Sequence, residues 1–126
     1  MKVFLNPGHA LNGNPDPGAV NGETGLRECD VALAVGESAE SYLNAAGVET
    51  ELLQSDSLYD ICEAANSSDA DIFVSIHCNA AEAEEANGTE TWACAGSYRG
   101  SVLASCIQSQ LVDALDITDR LSLIHI

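Results

Sequence analysis

The chain has 126 residues, which suffices for one domain with a buried core. Its formal net charge of -16, from 20 acidic and 4 basic side chains, excludes nucleic acid as the main partner, because phosphate binding needs a face rich in Lys and Arg. No apolar run reaches the roughly 18 residues of a membrane-spanning helix, and the N-terminal apolar run is too short for a signal peptide.

The cysteines are odd in number and include no C-x-x-C pair, so the sequence predicts neither a disulfide scaffold nor a thiolate zinc site. We expect most of them to be small buried apolar residues. The five positions are Cys29, Cys62, Cys78, Cys94 and Cys106.

The first predicted element is a strand, KVFLN (2–6), which Asn-Pro-Gly closes. A segment rich in Gly, Pro and Asn follows from Pro7 to about Gly25, and its composition excludes regular secondary structure. Loops of this length in a small domain are usually functional or disordered, and we expect a functional loop here.

A helix is predicted to begin at Glu28 and to end at Gly47. Within it, apolar and small residues recur at steps of three and four, which is typical of one buried helical face. The residues expected on that face are Ala32, Val35, Ala39, Tyr42, Leu43 and Ala46.

The next two elements are a strand and a second helix. VETELL (48–53) predicts the strand, and Ser57 with Asp60 forms an approximate capping box for the helix. The helix is expected to run through about Asn66 and to turn four residues inward, which are Leu58, Ile61, Cys62 and Ala65.

The run DIFVSI (71–76) is nearly all apolar, which favours a central parallel strand covered on both faces. A polar loop (82–87), a strand TETWAC (89–94) and a helix from about Gly100 follow. This order predicts an α/β fold, a three-layer sandwich with a mostly parallel sheet covered by helices.

The last six residues, LSLIHI (121–126), are apolar but do not continue the preceding pattern. We interpret them as a non-native tail, so that the domain occupies 1–120. A C-terminal apolar strand is the alternative interpretation.

Three polar side chains are expected at one edge of the sheet. His9 follows the first strand, His77 follows DIFVSI directly, and Glu28 lies where the long loop enters the first helix. Ligands of open α/β sheets bind beyond the carboxyl ends of the strands, which places these three side chains together. Two imidazoles and one carboxylate are the ligands of hydrolytic zinc, with a fourth position open for water.

Other interpretations of these residues stay open. Each histidine alone could be a hydrogen-bonded turn or core residue, and Glu28 alone could be a carboxylate favoured by the helix dipole. Cys78 is not expected to be a ligand, because alternation along an extended segment points it away from His77.

The sequence resembles the type 3 zinc-dependent N-acetylmuramoyl-L-alanine amidases, which include cell-wall hydrolases, autolysins and phage endolysins. The motifs that carry the resemblance are NPGHA, DPGAVNGETGLRE, VSIHCNA and GTETW, together with the helix LASCIQSQLVDAL that ends in DR. The turn after His9 departs from the family in having Ala10 and Leu11, and LLQSDS replaces the family's Thr-Arg element.

The resemblance implies that His9, Glu28 and His77 bind one Zn²⁺ and that Asn79 shapes the substrate-binding rim. It implies that Asp16 belongs to the loop that holds His9. The implied partner is peptidoglycan, and the implied substrate is the amide between N-acetylmuramic acid and L-alanine. The implied place of action is the cell wall, extracellular or periplasmic, without membrane insertion.

The family's catalytic glutamate is expected beyond the end of this chain, with the last strand or strands and a helix. The domain is therefore expected to be incomplete and weak or inactive, since general acid and base catalysis contributes about 10²- to 10⁴-fold in rate. Glu90 is the nearest internal substitute, but its Thr and Trp neighbours suit a sheet face. The alternatives are a non-catalytic peptidoglycan-binding or regulatory domain of the same fold, and a zinc peptidase that acts on the same polymer.

Overall fold

The computed structural model describes the backbone of residues 1–81 and 86–125, and the side chains of these residues as far as Arg120. The chain forms two compact units, 1–80 and 81–126. The elements are β1 (Lys2–Pro7), a 3-10 turn (Leu11–Gly13), α1 (Glu28–Ala45), β2 (Glu49–Leu52), α2 (Leu58–Ser67), β3 (Ile72–Ile76), β4 (Thr89–Cys94), α3 (Tyr98–Leu115) and β5 (Asp119–His125).

The first unit contains a parallel sheet with the strand order β2-β1-β3. The buried central strand is β1, in which Phe4 is fully buried. The prediction that 71–76 is the central strand is therefore wrong, since β3 lies at an edge of this sheet and Phe73 is 49% exposed. β1 has a partner on each side, whereas β3 exposes alternate residues.

Helix α1 packs against β1 and β2 through small residues. Ala32 is fully buried, and a Cβ on Gly36 would lie 2.6 Å from Pro7 Cγ, so glycine permits the close approach of helix and strand. The predicted buried face is wrong at Val35, Tyr42 and Ala46, which are exposed. The buried residues are Glu28, Cys29, Ala32 and Gly36, a narrower stripe than the apolar pattern indicates.

Helix α2 begins after Ser57 as predicted, and Ser57 Oγ accepts a hydrogen bond from the Asp60 backbone N–H at 3.2 Å. The other half of the capping box is replaced, because the Ser57 N–H donates to Ser55 Oγ at 3.1 Å. Ile61 is buried, but Leu58 and Cys62 are exposed, so the prediction that both face inward is wrong. The helix is short, and Ile61 is its one buried residue.

The second unit contains β4 and β5, which pair in parallel, and α3, which packs on both strands. Gln108 of α3 is 3% exposed, and its Nε2 donates to Thr89 O at 2.7 Å and to Asp119 Oδ1 at 2.6 Å. Its Oε1 accepts from Thr91 Oγ1 at 2.9 Å. One buried amide therefore joins the helix to both strands.

The α/β class with a parallel sheet and helices is confirmed. The backbone of 119–125 is a strand, while the interpretation of 121–126 as a non-native tail stays a prediction. Residues 82–85 of the predicted polar loop lie outside the described residues. In the part of the chain that the structure describes, no helix has the length and apolarity that a membrane span requires.

The expectation that most cysteines are buried is wrong. Cys29 in the first turn of α1 is buried, whereas the other four are exposed: Cys62 on α2, Cys78 after β3, Cys94 at the end of β4 and Cys106 on α3. Composition did not reveal this, because exposure depends on which face each element turns to the core.

Candidate metal centre

The long loop after β1 is ordered by its own hydrogen bonds. The Ala10 N–H donates to Asp16 O at 2.9 Å, and the Gly18 N–H donates to Asp16 Oδ1 at 3.0 Å. His9 has a φ of 69°, in the left-handed region that is uncommon for residues other than glycine. The prediction of no regular structure is wrong for Pro7, which ends β1, and for a 3-10 turn at Leu11–Gly13.

Arg27 attaches this loop to the first turn of α1. Its Nε and Nη2 donate to the two carboxylate oxygens of Asp30, each at 2.7 Å, and its Nη1 donates to Asn12 O at 2.9 Å. The Arg27 guanidinium lowers the pKa of Asp30 below its ordinary value. The loop is thus held where Glu28 begins the helix.

The structure brings His9, Glu28 and His77 together, as the edge of the sheet predicts. His9 Nε2 lies 3.0 Å from Glu28 Oε1, and His77 Nδ1 lies 3.2 Å from both of those atoms. Ligand atoms at the corners of a zinc tetrahedron are about 3.3 Å apart, given bonds of about 2.0 Å. The three donor atoms therefore form a triangle close in size to one face of a zinc coordination tetrahedron.

Glu28 is 7% exposed and receives two backbone hydrogen bonds. The Ala19 N–H donates to Oε2 at 3.0 Å, and the Cys78 N–H donates to Oε1 at 2.7 Å. Burial raises the pKa of Glu28, but these donors and His9 lower it by more, so the net pKa is below its ordinary value. The side chain is thus an anion with a fixed orientation.

Asp16 determines which nitrogen of His9 faces the cluster. Asp16 Oδ2 lies 2.8 Å from His9 Nδ1, and this hydrogen bond lowers the pKa of Asp16. The ionised carboxylate only accepts, so Nδ1 carries the proton of the neutral ring and Nε2 is the nitrogen that can bind a metal ion. Burial lowers the pKa of His9, but hydrogen bonds to Asp16 and Glu28 raise it by more.

Two glycines allow the side chains to approach so closely. A Cβ on Gly8 would lie 2.6 Å from His77 Nδ1. A Cβ on Gly18 would lie 2.6 Å from His9 Cδ2 and 2.7 Å from Glu28 Oε2, and Gly18 also has a φ of 68°. Both glycines lie in the Gly-rich segment 7–25, whose composition does not show that they border the cluster.

The residues after β3 lie on the open side of the cluster. The His77 side chain is 51% exposed, and Cys78 and Asn79 are exposed. Cys78 contributes its backbone N–H to Glu28, while burial and the Glu28 carboxylate raise the pKa of its thiol. The substrate-binding role of Asn79 stays a prediction.

Gln54 is a residue that sequence analysis missed. It is 7% exposed, and its Nε2 donates to Gly8 O and to Cys29 O, each at 2.9 Å. The sequence shows it only within LLQSDS (52–57), which begins at the last residue of β2, and no periodicity marks it as buried.

The fold and the cluster together define an α/β protein whose His-Glu-His group has the donor chemistry of a zinc site. The chain matches the N-acetylmuramoyl-L-alanine amidase family over residues 3–122 and belongs to that family. The resemblance seen in the sequence motifs is thereby confirmed.

Curated relatives and solved structures agree with this assignment. The chain is 37% identical to the N-acetylmuramoyl-L-alanine amidase LytC of Bacillus subtilis, over 94% of this chain and 24% of that protein. It is 32% identical to the amidase AmiA of Escherichia coli, over 86% of this chain and 37% of that protein. The structure of amidase AmiC2 of Nostoc punctiforme matches 99% of this chain and 69% of that chain, with 30% identity and a TM-score of 0.84. The chain spans less than half of each of these two curated relatives.

Proposed function

We propose that this chain binds one Zn²⁺ through His9, Glu28 and His77 and belongs to an enzyme that hydrolyses the amide between N-acetylmuramic acid and L-alanine in peptidoglycan. The observation that carries the proposal is the triangle of donor atoms, 3.0 to 3.2 Å on each side. Family membership and the relatives named as amidases support the substrate.

The residues of the cluster fit zinc by their chemistry. Each side chain can offer one lone pair to the ion. His9 offers Nε2, because its Nδ1 is hydrogen-bonded to Asp16. Glu28 offers Oε1, which keeps a second lone pair after it accepts a hydrogen bond from the Cys78 N–H. A zinc ion held there supplies Lewis acidity and a nucleophile at neutral pH.

The substrate is proposed to approach from the side of His77 and Asn79. These residues are exposed, whereas Glu28 is buried behind them. Asn79 offers an amide that can both donate to and accept from a glycan or peptide. Because the net charge is -16, the chain would bind an anionic wall polymer through such specific contacts and not through bulk attraction. The proposed place of action is the cell wall, outside the membrane.

We also propose that the 126 residues alone turn over slowly. Among the described side chains, the two carboxylates that contact the cluster are Asp16 and Glu28, and each already accepts two hydrogen bonds or more. Neither is free to act as a general base. Glu90 lies in β4 of the second unit, with its Oε2 3.9 Å from Arg120 Nε. This arrangement favours, as the second candidate function, a domain that binds peptidoglycan without cleaving it.

Metal analysis tests the first part of the proposal. The chain purified without chelator should contain one zinc, and His9→Ala and His77→Ala should each lose it. Cys62→Ala is the matched control and should keep the metal, because Cys62 is an exposed thiol on α2. Full zinc retention in both histidine variants would contradict the proposed site.

Incubation with purified sacculi tests the second part. Slow release of new alanine amino termini would support amide hydrolysis by this chain. Cleavage between stem-peptide residues would instead identify a zinc peptidase. Pelleting with sacculi without any release, by a chain that holds its zinc, would favour the binding domain.

A further inference from the structure

The buried amide of Gln54 joins two of the three segments that carry the metal cluster. Its Nε2 donates to Gly8 O, on the residue before His9, and to Cys29 O, on the residue after Glu28. These partners are 46 and 25 residues away in sequence. A single side chain from the segment after β2 therefore spans the turn after β1 and the first turn of α1.

The orientation of this amide follows from its partners. Both are carbonyl oxygens, which only accept, so the NH₂ group and not the oxygen must face them. Each of the two N–H groups then meets one carbonyl at 2.9 Å, near the ideal hydrogen-bond length. Met could fill this space, but only a donor can hold two carbonyls at a set separation.

The third segment is attached to the same turn. The Gly8 N–H donates to Ile76 O at 2.8 Å, and Ile76 directly precedes His77. The Gly8 carbonyl thus accepts a hydrogen bond from Gln54, and the Gly8 N–H donates one to the last residue of β3. A shift of Gly8 would displace His9 and, through this bond, the end of β3.

The remaining atom of the amide argues against a role in stability alone. Gln54 Oε1 is buried and has no hydrogen-bond partner among the residues that the structure describes. An unsatisfied buried oxygen destabilises the fold and offsets part of what the two donated hydrogen bonds contribute, so net stability alone is a weak reason for an amide at this position.

From these contacts we propose that Gln54 is a positioning residue, which sets the separation of His9 and Glu28 and thereby the affinity of the cluster for zinc. The inference rests on the proposed function and deepens it. Hydrogen bonds that orient metal ligands typically change metal affinity by about 10- to 100-fold when they are removed.

The test compares two buried glutamines of this chain. Gln54→Met keeps the length of the side chain and removes both donated hydrogen bonds. Gln108→Met removes a comparable set from Gln108, which is 3% exposed and bonds only within the second unit among the contacts seen. The zinc dissociation constant is measured by competition with a chromophoric chelator, and the unfolding temperature is measured on the metal-free chain.

The expected result separates the two variants. Gln54→Met should bind zinc about 10- to 100-fold more weakly, and Gln108→Met should lower the unfolding temperature while leaving zinc affinity within about twofold of the parent. Zinc affinity within that range for Gln54→Met, whatever its unfolding temperature, would overturn the inference. Absence of zinc binding by the parent chain would instead overturn the proposed function.

A second variant covers a failure of Gln54→Met to fold. Gln54→Asn keeps the amide but is one methylene shorter, so it cannot reach both carbonyls at once. Weakened zinc binding by a folded Gln54→Asn chain supports positioning, and parental affinity overturns it.

Discussion

Asp16 Oδ2 lies 2.8 Å from Nδ1 of His9, on the opposite side of the imidazole ring from Glu28. The carboxylate thereby leaves Nε2 as the His9 nitrogen that faces the other two members of the cluster. Asp16 therefore orients a proposed metal ligand without being one itself.

Asp16→Asn should weaken zinc binding by about 10- to 100-fold, because an amide can donate to His9 as readily as it accepts and no longer selects one tautomer. Chelator competition measures the change. Asp113→Asn on α3 is the control for the loss of one negative charge and should leave the affinity unchanged. Equal zinc affinity in both variants would refute this role of Asp16.

Gly18→Ala should abolish most zinc binding and destabilise the chain by about 1–3 kcal/mol, because the new methyl group would meet His9 and Glu28 and the backbone has a positive φ. Gly22→Ala is the matched control in the same loop, since a Cβ there meets nothing within 4 Å. Zinc titration and denaturant unfolding give the two readouts. A Gly18→Ala chain that binds zinc as the control does would show that the cluster is looser than its contacts indicate.

Removal of zinc should lower the unfolding temperature of the chain. A ligand in 100-fold excess over its dissociation constant stabilises the folded state by about 2.7 kcal/mol, which corresponds to several degrees for a domain of this size. Thermal unfolding with and without a chelator measures the shift. His77→Ala should show almost no difference between the two conditions, and a full shift in that variant would place the metal elsewhere.

The Arg27–Asp30 pair predicts a pH dependence of stability. Because Arg27 lowers the pKa of Asp30 below 3.8 in the folded chain, the pair stabilises the fold above that value, and the effect is lost as the pH falls through the folded pKa. Asp30→Asn should therefore be less stable than the parent near neutral pH and equally stable in strong acid. Unfolding in chelator at a series of pH values measures this, and a constant difference would rule out titration of Asp30 as its source.

The assembly of the site could be predicted from topology. β1 and β3 are parallel neighbours with Pro7 opposite Ile76, so the residues that follow them emerge at one edge, and His9 and His77 meet there although they are 68 residues apart. The junction of loop and helix placed Glu28 correctly as well. These inferences use the direction of the strands and the start of a helix, both of which the sequence pattern indicates.

Other features depended on packing that no local pattern encodes. Gln54 and Leu58 are four residues apart, yet the amide is buried and the leucine is 77% exposed. Polarity alone predicts the reverse. The amide is buried because two backbone carbonyls need a donor at that point, and such a need arises only in the folded chain.

The three segments that meet at the cluster have a consequence for how the chain folds. An ion held by all three would act as a cross-link, which joins His9 to His77 across 68 residues and ties Glu28, 49 residues before His77, into the same loop. All three ligands come together only once β3 pairs with β1, so the complete cross-link would form after that pairing. Zinc binding would then stabilise the N-terminal sheet at a late step of folding.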